Sequence, residues 1–227
     1  MQLYIGNKNY SSWSMRPWVL MRQAGIAFEE VPLRLSFADD SAFKRRLANV
    51  SPAGRVPVLA DGGFSVWDTL AIAEYLAEAF PAKALWPGDR LQRARARSLC
   101  AEMHSGFAAL RSHFPMNMEA SLAAVGMRVL ADQADARRDL DRIVQMWTQQ
   151  LAASGGPLLF GAFSIADAYF APVCSRIKTY ALPVPPAVQR YVDTVFALPA
   201  MQAWTAAALA EHDFIDFDEP YRSAPVR

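Results

Sequence analysis

The first eighty residues alternate between the hydrophobic spacing of strands and that of helices. Residues 2–5 form a short apolar run that stops at Gly6, which predicts a buried strand. In residues 28–35 apolar and polar positions alternate, as in a strand with one solvated side. Between them, residues 15–24 carry apolar side chains at helical spacing and end at Gly25, which predicts a helix.

The same alternation continues to residue 80. A short amphipathic helix is predicted over residues 41–49. Residues 56–60 and 64–66 flank the turn sequence Asp61-Gly62-Gly63, and this is the strongest hairpin signal in the chain. A third helix is predicted over residues 69–80, where apolar side chains recur on one face. The order β-α-β-α-β-β-α indicates an α/β fold, a small mixed sheet with helices packed on it.

Beyond residue 80 the pattern is helical, and no strand is predicted from residue 88 onward. Five helices are predicted there, at residues 91–114, 122–153, 165–180, 187–196 and 201–212. Their ends fall at prolines and glycines, which break helices. The sequence therefore predicts an α/β domain over residues 1–80, a linker over residues 81–87 and an all-helical domain over residues 88–227, with an irregular tail from residue 213.

Composition narrows the possible partners. Of 227 residues, 53% are hydrophobic and 20% are charged, so the chain can bury a sizeable core and is not disordered as a class. The formal charge of +1 gives no electrostatic reason to expect nucleic acid or an anionic membrane. Cys100 and Cys174 lie far apart, and the three histidines lack metal-site spacing, so we expect no disulfide framework and no metal. These features predict a soluble cytoplasmic protein.

Serine hydroxyls cluster between the first strand and the first helix, in the sequence Ser11-Ser12-Trp13-Ser14. A helix N-terminus carries unpaired N–H donors and about half a positive charge, so it stabilises an anion. A serine hydroxyl just ahead of the helix adds a further donor for a thiolate or an oxyanion. The alternative is structural, since Ser12 or Ser14 can serve simply as the N-cap.

Two further features are suited to an extended, peptide-like ligand. Pro57 stands just before a predicted strand, which marks either a turn or a cis peptide bond. A cis bond would turn the backbone N–H and C=O groups of Val56 outward, where they can pair with a ligand; the alternative is an ordinary trans turn. At the start of the third helix, Thr69 can cap the helix and bind a carboxylate while Asp68 pairs with an ammonium, although a simple cap explains them equally well.

Together these segments resemble the glutathione transferase family. The shared features are the thioredoxin-like element order, a hydroxyl at the first helix, the SPxGxVPVL sequence from Ser51 to Leu59, and a (D/E)(S/T)xAI helix start at Asp68. In the helical half, residues 163–167 look like the family's structural capping box. The resemblance implies an N-terminal thioredoxin-like domain that binds glutathione as co-substrate and a C-terminal helical bundle. It also implies a homodimer that conjugates the glutathione thiolate to small hydrophobic electrophiles in detoxification.

The resemblance assigns roles to individual residues. The run from Ser11 to Arg16 is similar to the SSCSxR motif of the zeta class, whose members include maleylacetoacetate isomerases. Ser11, or Ser12 if the register slips by one, then donates a hydrogen bond to the sulfur and lowers the thiol pKa. The remaining implied positions are Val56 and Pro57 for the cysteinyl portion, Asp68 and Thr69 for the γ-glutamyl end, Lys44 for the glycine carboxylate, and Trp13, Met103 and Phe107 for the electrophile pocket.

Two departures from the zeta-class pattern affect the predicted activity. Trp13 replaces the class cysteine, and with no cysteine at positions 11–14 mixed-disulfide chemistry lacks its nucleophile. The arginine expected to hold an isomerase substrate falls at Thr179, with Arg176 nearly one turn earlier. We therefore predict a glutathione transferase, with a glutathione-dependent cis–trans isomerase as the alternative. A non-catalytic interaction protein of the same fold is a third possibility.

Overall fold

A single four-stranded sheet forms the N-terminal half of the computed structural model, which describes residues 1–224. Its strands are β1 (Gln2–Ile5), β2 (Glu29–Pro32), β3 (Val58–Asp61) and β4 (Phe64–Trp67). Their order across the sheet is β2-β1-β3-β4, with β1 and β2 parallel and the other neighbours antiparallel. Asp61 pairs with Phe64 across the predicted two-glycine turn. The small mixed sheet is therefore confirmed.

Three helices pack on this sheet: α1 (Ser12–Gln23), α2 (Ala42–Ala48) and α3 (Thr69–Ala79). Helix α1 begins three residues before the predicted start because the Ser11 side chain caps it. Strand β2 is shorter than predicted, since its partner β1 offers only four residues for pairing. Gly6 lies so close to Leu35 that a Cβ atom there would stand 2.6 Å from Leu35 Cδ2. This close approach brings the serine segment against the sheet.

The C-terminal half is helical, as predicted, but contains more helices. They are α4 (Arg90–Ser105), α5 (Ala108–His113), α6 (Ala123–Asp132), α7 (Ala134–Ser154), α8 (Ile165–Thr179), α9 (Pro186–Ala197) and α10 (Pro199–Ala210). The predictions of single helices over residues 91–114 and 122–153 are wrong. The first breaks at Phe107, whose φ of 57° is left-handed, and the second at the extended Gln133.

The linker and the tail also pack against the body of the protein. The linker contains a 3-10 turn (Pro81–Lys83) and buries Leu85 and Trp86. The tail contains a second 3-10 turn (Asp216–Asp218). The Glu219 carboxylate in the tail accepts hydrogen bonds from Tyr10 Oη at 2.7 Å and from Asn117 Nδ2 at 2.8 Å. These bonds hold the tail beside the start of α1.

One hydrophobic cluster contains residues of both halves, with α1 packed on α8. The predicted capping box at the start of α8 is confirmed, because Ser164 N–H donates to the Asp167 carboxylate at 2.9 Å. Burial raises the pKa of Asp167 to about 6. No helix within residues 1–224 is long and apolar enough to cross a membrane. The same residues contain no group of three or more His, Cys, Asp or Glu side chains able to hold a metal ion.

Candidate functional site

Two cavities meet beside the N-terminus of α1, and they share the lining residues Trp13, Arg55 and Val56. The first, here called the Asp68 cavity, has a volume of about 340 Å³ and is lined also by Asp68, Thr69, Pro57 and His104. The second, here called the serine cavity, has a volume of about 470 Å³ and is lined also by Ser11, Ser12, Lys44 and Arg176. The cavities thus bring together all the predicted glutathione-binding residues and both candidate serines.

Ser11 is the residue that caps α1, not Ser12 or Ser14 as the structural alternative predicted. Its Oγ accepts the Ser14 N–H at 3.4 Å and donates to Ser14 Oγ at 2.7 Å, and Ser14 Oγ also accepts the Gly6 N–H at 3.0 Å. Ser12 is half-buried, and its hydroxyl makes no hydrogen bond to another described residue. The Ser11 oxygen is therefore fixed in place while its hydrogen can rotate.

Rotation of the Ser11 hydroxyl need not reduce the number of hydrogen bonds between Ser11 and Ser14. If the Ser11 hydroxyl hydrogen turns into the cavity, Ser14 Oγ still accepts the Gly6 N–H and its own hydroxyl can donate to Ser11 Oγ across the same 2.7 Å. A chain of hydroxyls in one direction strengthens the terminal donor. Ser11 can thus cap α1 and at the same time donate a hydrogen bond to an anion in the serine cavity.

The Val56–Pro57 peptide bond is cis. Pro57 is buried and lines the Asp68 cavity, whereas Val56 is half-buried and lines both cavities. Gly54, two residues earlier, has a φ of 57° and also lines the serine cavity. This turn therefore forms the wall along which a ligand passes from one cavity to the other.

Asp68 and Thr69 divide their tasks differently from the prediction that Thr69 caps α3. Asp68 is the N-cap, with Oδ1 accepting the Leu70 N–H at 2.8 Å and a backbone φ of 74°. The Thr69 side chain is buried, and its hydroxyl lies 2.8 Å from the Tyr169 hydroxyl. The Thr69 side chain thus faces the helical half. A carboxylate in the cavity can therefore bind the N–H groups in the first turn of α3, but not the Thr69 hydroxyl.

A buried arginine that the sequence reasoning did not single out supports the first turn of α1. The Arg16 guanidinium lies between two rings, with Cζ 4.3 Å from the Trp13 centroid and 4.2 Å from that of Tyr169. Its Nε and Nη1 have no hydrogen-bond partner among the described residues. Burial lowers the pKa of Arg16 to about 10, so it remains cationic at neutral pH. Its spacing of three residues from Trp13, one helical turn, is the signal that could have found the contact.

Of the three residues predicted for the electrophile pocket, the structure brings only Trp13 to either cavity. Trp13 lines both cavities, but Met103 and Phe107 are buried in the hydrophobic core and line neither of the two. The reason is the break after α4: its buried face carries Met103 inward, and the left-handed Phe107 follows it into the core. The apolar wall of the serine cavity is formed instead by Leu35, Phe37, Phe43, Pro115 and Met116.

Besides Arg55, two arginines of the helical half line the same cavity. Thr179, the position expected to hold an arginine, donates its hydroxyl to the Asn117 carbonyl at 2.7 Å and does not line the cavity. Arg176 does line it, with Nε bonded to the Phe114 carbonyl at 2.7 Å, and burial lowers the pKa of Arg176 to about 9. Arg111 of α5 is the second, and burial lowers its pKa as well. The cavity is therefore cationic on this side.

Comparison with known proteins places these features in a family. A model of the glutathione S-transferase N-terminal domain matches residues 10–79, and a model of the C-terminal domain matches residues 89–207. The chain is similar to a glutathione transferase homologue from Burkholderia, solved with bound glutathione, at 28% identity and a TM-score of 0.68 over 92% of this chain and 98% of that one. The predicted thioredoxin-like half followed by a helical half is thereby confirmed.

Two curated relatives are maleylacetoacetate isomerases. The one from Pseudomonas aeruginosa is 26% identical over 208 residues, covering 89% of this chain and 94% of the relative. The one from Rattus norvegicus is 31% identical over 110 residues, covering 48% of this chain, so the match spans about half (50%) of that relative's length. Because the family models match most of both halves, the chain belongs to the glutathione S-transferase family.

Proposed function

We propose that this protein binds glutathione across the two cavities and transfers its thiolate to a small electrophile. The observation that carries the proposal is that the Asp68 cavity and the serine cavity join at Trp13, Arg55 and Val56. A zwitterion site and a thiolate site are thus connected by a turn suited to a peptide. The Burkholderia homologue, solved with bound glutathione, supports the same ligand here.

Each part of glutathione then has a partner. Asp68 pairs with the γ-glutamyl ammonium, and the first-turn N–H groups at Thr69 bind the γ-glutamyl carboxylate. The Val56 backbone beside Pro57 binds the cysteinyl portion. Lys44, which lines the serine cavity, is suited to the glycine carboxylate.

Thiolate activation is the proposed role of the serine segment. Ser11 donates a hydrogen bond to the sulfur, backed by Ser14, and the N-terminus of α1 adds its partial positive charge. Both favour the anion, so they lower the thiol pKa from about 8.5 and increase the reactive fraction at neutral pH. Ser12 is the alternative donor, because its hydroxyl is not engaged by a described residue.

A second candidate, cis–trans isomerisation, is favoured by the arginines of the serine cavity. Arg111 and Arg176 supply the cationic anchor that a dicarboxylate needs and that Thr179 does not provide. Thiolate addition to a conjugated double bond, rotation about the resulting single bond and elimination of the thiolate would return glutathione unchanged. The isomerase names of the two curated relatives support this candidate.

One experiment tests both candidates. Purified protein is given glutathione with either a neutral aryl halide or a conjugated cis-dicarboxylate, and free thiol and product geometry are followed together. Conjugation consumes thiol, whereas isomerisation forms the trans product at constant thiol. If neither substrate reacts and a glutathione-affinity resin does not retain the protein, the third possibility, an interaction protein, replaces both.

The proposal extends to a cytoplasmic homodimer that acts in detoxification. Apolar side chains exposed near β4 and the start of α4 support self-association, since Phe64 is 64% exposed and Leu91 is 69% exposed. Sedimentation analysis is expected to give twice the chain mass, and Phe64→Ser is expected to shift it toward the monomer. A wild-type protein that sediments as a monomer contradicts this part.

A further inference from the structure

Four side chains from three helices form a hydrogen-bonded chain behind the Asp68 cavity. Asp68 Oδ2, at the start of α3, lies 3.3 Å from His104 Nε2 of α4. His104 Nδ1 lies 2.8 Å from the Tyr169 hydroxyl of α8, and that hydroxyl lies 2.8 Å from Thr69 Oγ1. The Trp13 ring packs edge-on against His104, with ring centroids 5.4 Å apart. The chain thus joins the N-terminal and helical halves at the wall of one cavity.

One arrangement of hydrogens satisfies every member of this chain with a neutral histidine. The Asp68 carboxylate only accepts, so the hydrogen of His104 lies on Nε2 and Nδ1 becomes an acceptor. Tyr169 then donates to Nδ1, and its oxygen accepts the Thr69 hydroxyl hydrogen. The tautomer of the neutral ring follows from Asp68, whose carboxylate can only accept, while the Tyr169 and Thr69 hydroxyls can each donate and accept and so adapt to it.

We infer that His104 is a positioning residue that holds the Asp68 carboxylate in place for an ammonium group in the Asp68 cavity; this inference rests on the proposed function. The Asp68 side chain is 44% exposed, so without a partner on Oδ2 it is free to turn toward water. With His104 on Oδ2 and the Leu70 N–H on Oδ1, both oxygens are fixed and each retains a free lone pair. Tyr169 fixes His104 in turn.

A histidine at position 104 also affects how strongly Asp68 attracts a ligand cation. A neutral ring that donates to Asp68 leaves the negative charge of the carboxylate available to a ligand cation. A lysine or arginine in its place would neutralise that charge. The helical half therefore contributes to recognition of the γ-glutamyl end, although its residues bind through Asp68 and not directly.

The test compares two ligands that differ only in the α-amino group. Dissociation constants are measured by calorimetry for glutathione and for glutaryl-cysteinylglycine, which lacks that group. His104→Ala is expected to weaken glutathione binding by about tenfold and to leave glutaryl-cysteinylglycine within about twofold, since the loss is that of one oriented charged contact. His104→Gln, which keeps an N–H donor, is expected to restore part of the loss. His113→Ala is the matched histidine control and is expected to change neither constant.

A double-mutant cycle with Asp68→Ala separates positioning from general damage. If His104 acts through Asp68, His104→Ala has no further effect on glutathione binding once Asp68 is replaced. Equal weakening of both ligands by His104→Ala and His104→Gln, or full additivity with Asp68→Ala, overturns the inference. A wild-type protein that binds neither ligand overturns the proposed function itself, and the inference with it. Wild-type binding of both ligands with no effect of His104→Ala overturns the inference alone.

Discussion

The Asp68 cavity and the serine cavity share a wall, but their charged groups are held in different ways. In the Asp68 cavity the carboxylate is paired with His104 and a backbone N–H, so its oxygens are oriented before a ligand arrives. In the serine cavity Arg111 and Arg176 place positive charge opposite no fixed partner of this kind among the described residues, beside a wall that is apolar on one side. A carboxylate held in one orientation suits a ligand end that never varies, whereas positive charge beside an apolar wall suits selection among electrophiles.

The largest expected effect tests whether the two cavities have separate tasks. Ser11→Ala removes the donor to the sulfur, so the pKa of bound glutathione should rise. A hydrogen bond to an anion contributes about 1.5–3 kcal/mol and one pKa unit is about 1.4 kcal/mol, so the rise should be about one to two units. The rate with a neutral aryl halide should fall by roughly ten- to a hundredfold, and glutathione affinity by less, because the bond serves the anion. Ultraviolet titration of the bound thiolate measures the shift.

Ser12→Ala is the matched control for this prediction, since it removes a neighbouring hydroxyl that lines the same cavity. It should change the titration less than Ser11→Ala does. If Ser12→Ala alone moves the transition, the donor is Ser12 and the register is off by one residue. If neither variant does, activation does not come from these hydroxyls.

The second prediction addresses the charge of the serine cavity. Arg111→Met should weaken S-(4-carboxybenzyl)glutathione about tenfold and leave S-benzylglutathione nearly unchanged, because only the first ligand brings a carboxylate to the cavity. Arg111 is preferred over Arg176 because it is only half-buried and bonds the Met103 and His104 carbonyls through Nη1 alone. Arg176 is buried and bonds the Phe114 and Pro172 carbonyls through two nitrogens. The measurement is the ratio of the two dissociation constants, and Arg95→Met on the exposed side of α4 is the control. An unchanged ratio would argue for a pocket selected by apolar surface alone.

The two cavities also differ in how far the sequence predicted them. Asp68, Val56 and Pro57 belong to short motifs whose residues are neighbours along the chain, so local rules sufficed. The residues that contact these motifs from distant parts of the chain cannot be predicted by such local rules. The spacing of the histidines bears only on a metal site and says nothing of the contact between His104 and Tyr169. That contact spans 65 positions and depends on how α4 packs against α8.

The error in the electrophile pocket has a local cause. Apolar periodicity continues through residues 91–114, and it therefore predicted one helix whose face would include Met103 and Phe107. The chain instead breaks at Gly106 and takes a left-handed conformation at Phe107, which no periodicity indicates. Arg111 consequently lies on a new helix that begins at Ala108 and lines the serine cavity. The sheet, by contrast, was predictable because its turn sequence and alternation agree.

The smallest expected effect concerns Asp218, which among residues 1–224 is the one acid that lines the serine cavity with these arginines. The tail carries Asp218 to the cavity, where burial, and then the neighbouring Glu219 carboxylate, raises the pKa of Asp218 to about 6. Below that pH Asp218 is neutral, and above it the group is charged and repels a second carboxylate. Affinity for S-(4-carboxybenzyl)glutathione, relative to S-benzylglutathione, should therefore fall as pH rises through about 6. Charge pairs near the surface contribute up to about 1 kcal/mol, so the change should be about threefold.

The variant Asp218→Asn tests whether the Asp218 carboxyl group is the source of this pH dependence. The variant keeps the shape of the side chain and removes its titration, so the affinity ratio should stay flat between about pH 5 and 7.5 at the value that the wild type has at low pH. Titrations of the glutathione portion cancel in the ratio, and the benzoate is ionised throughout this range. A decline of equal size in Asp218→Asn would assign the pH dependence to another group. A wild-type ratio that does not change with pH would mean that Asp218, although it lines the cavity, lies too far from the electrophile's carboxylate to affect its binding.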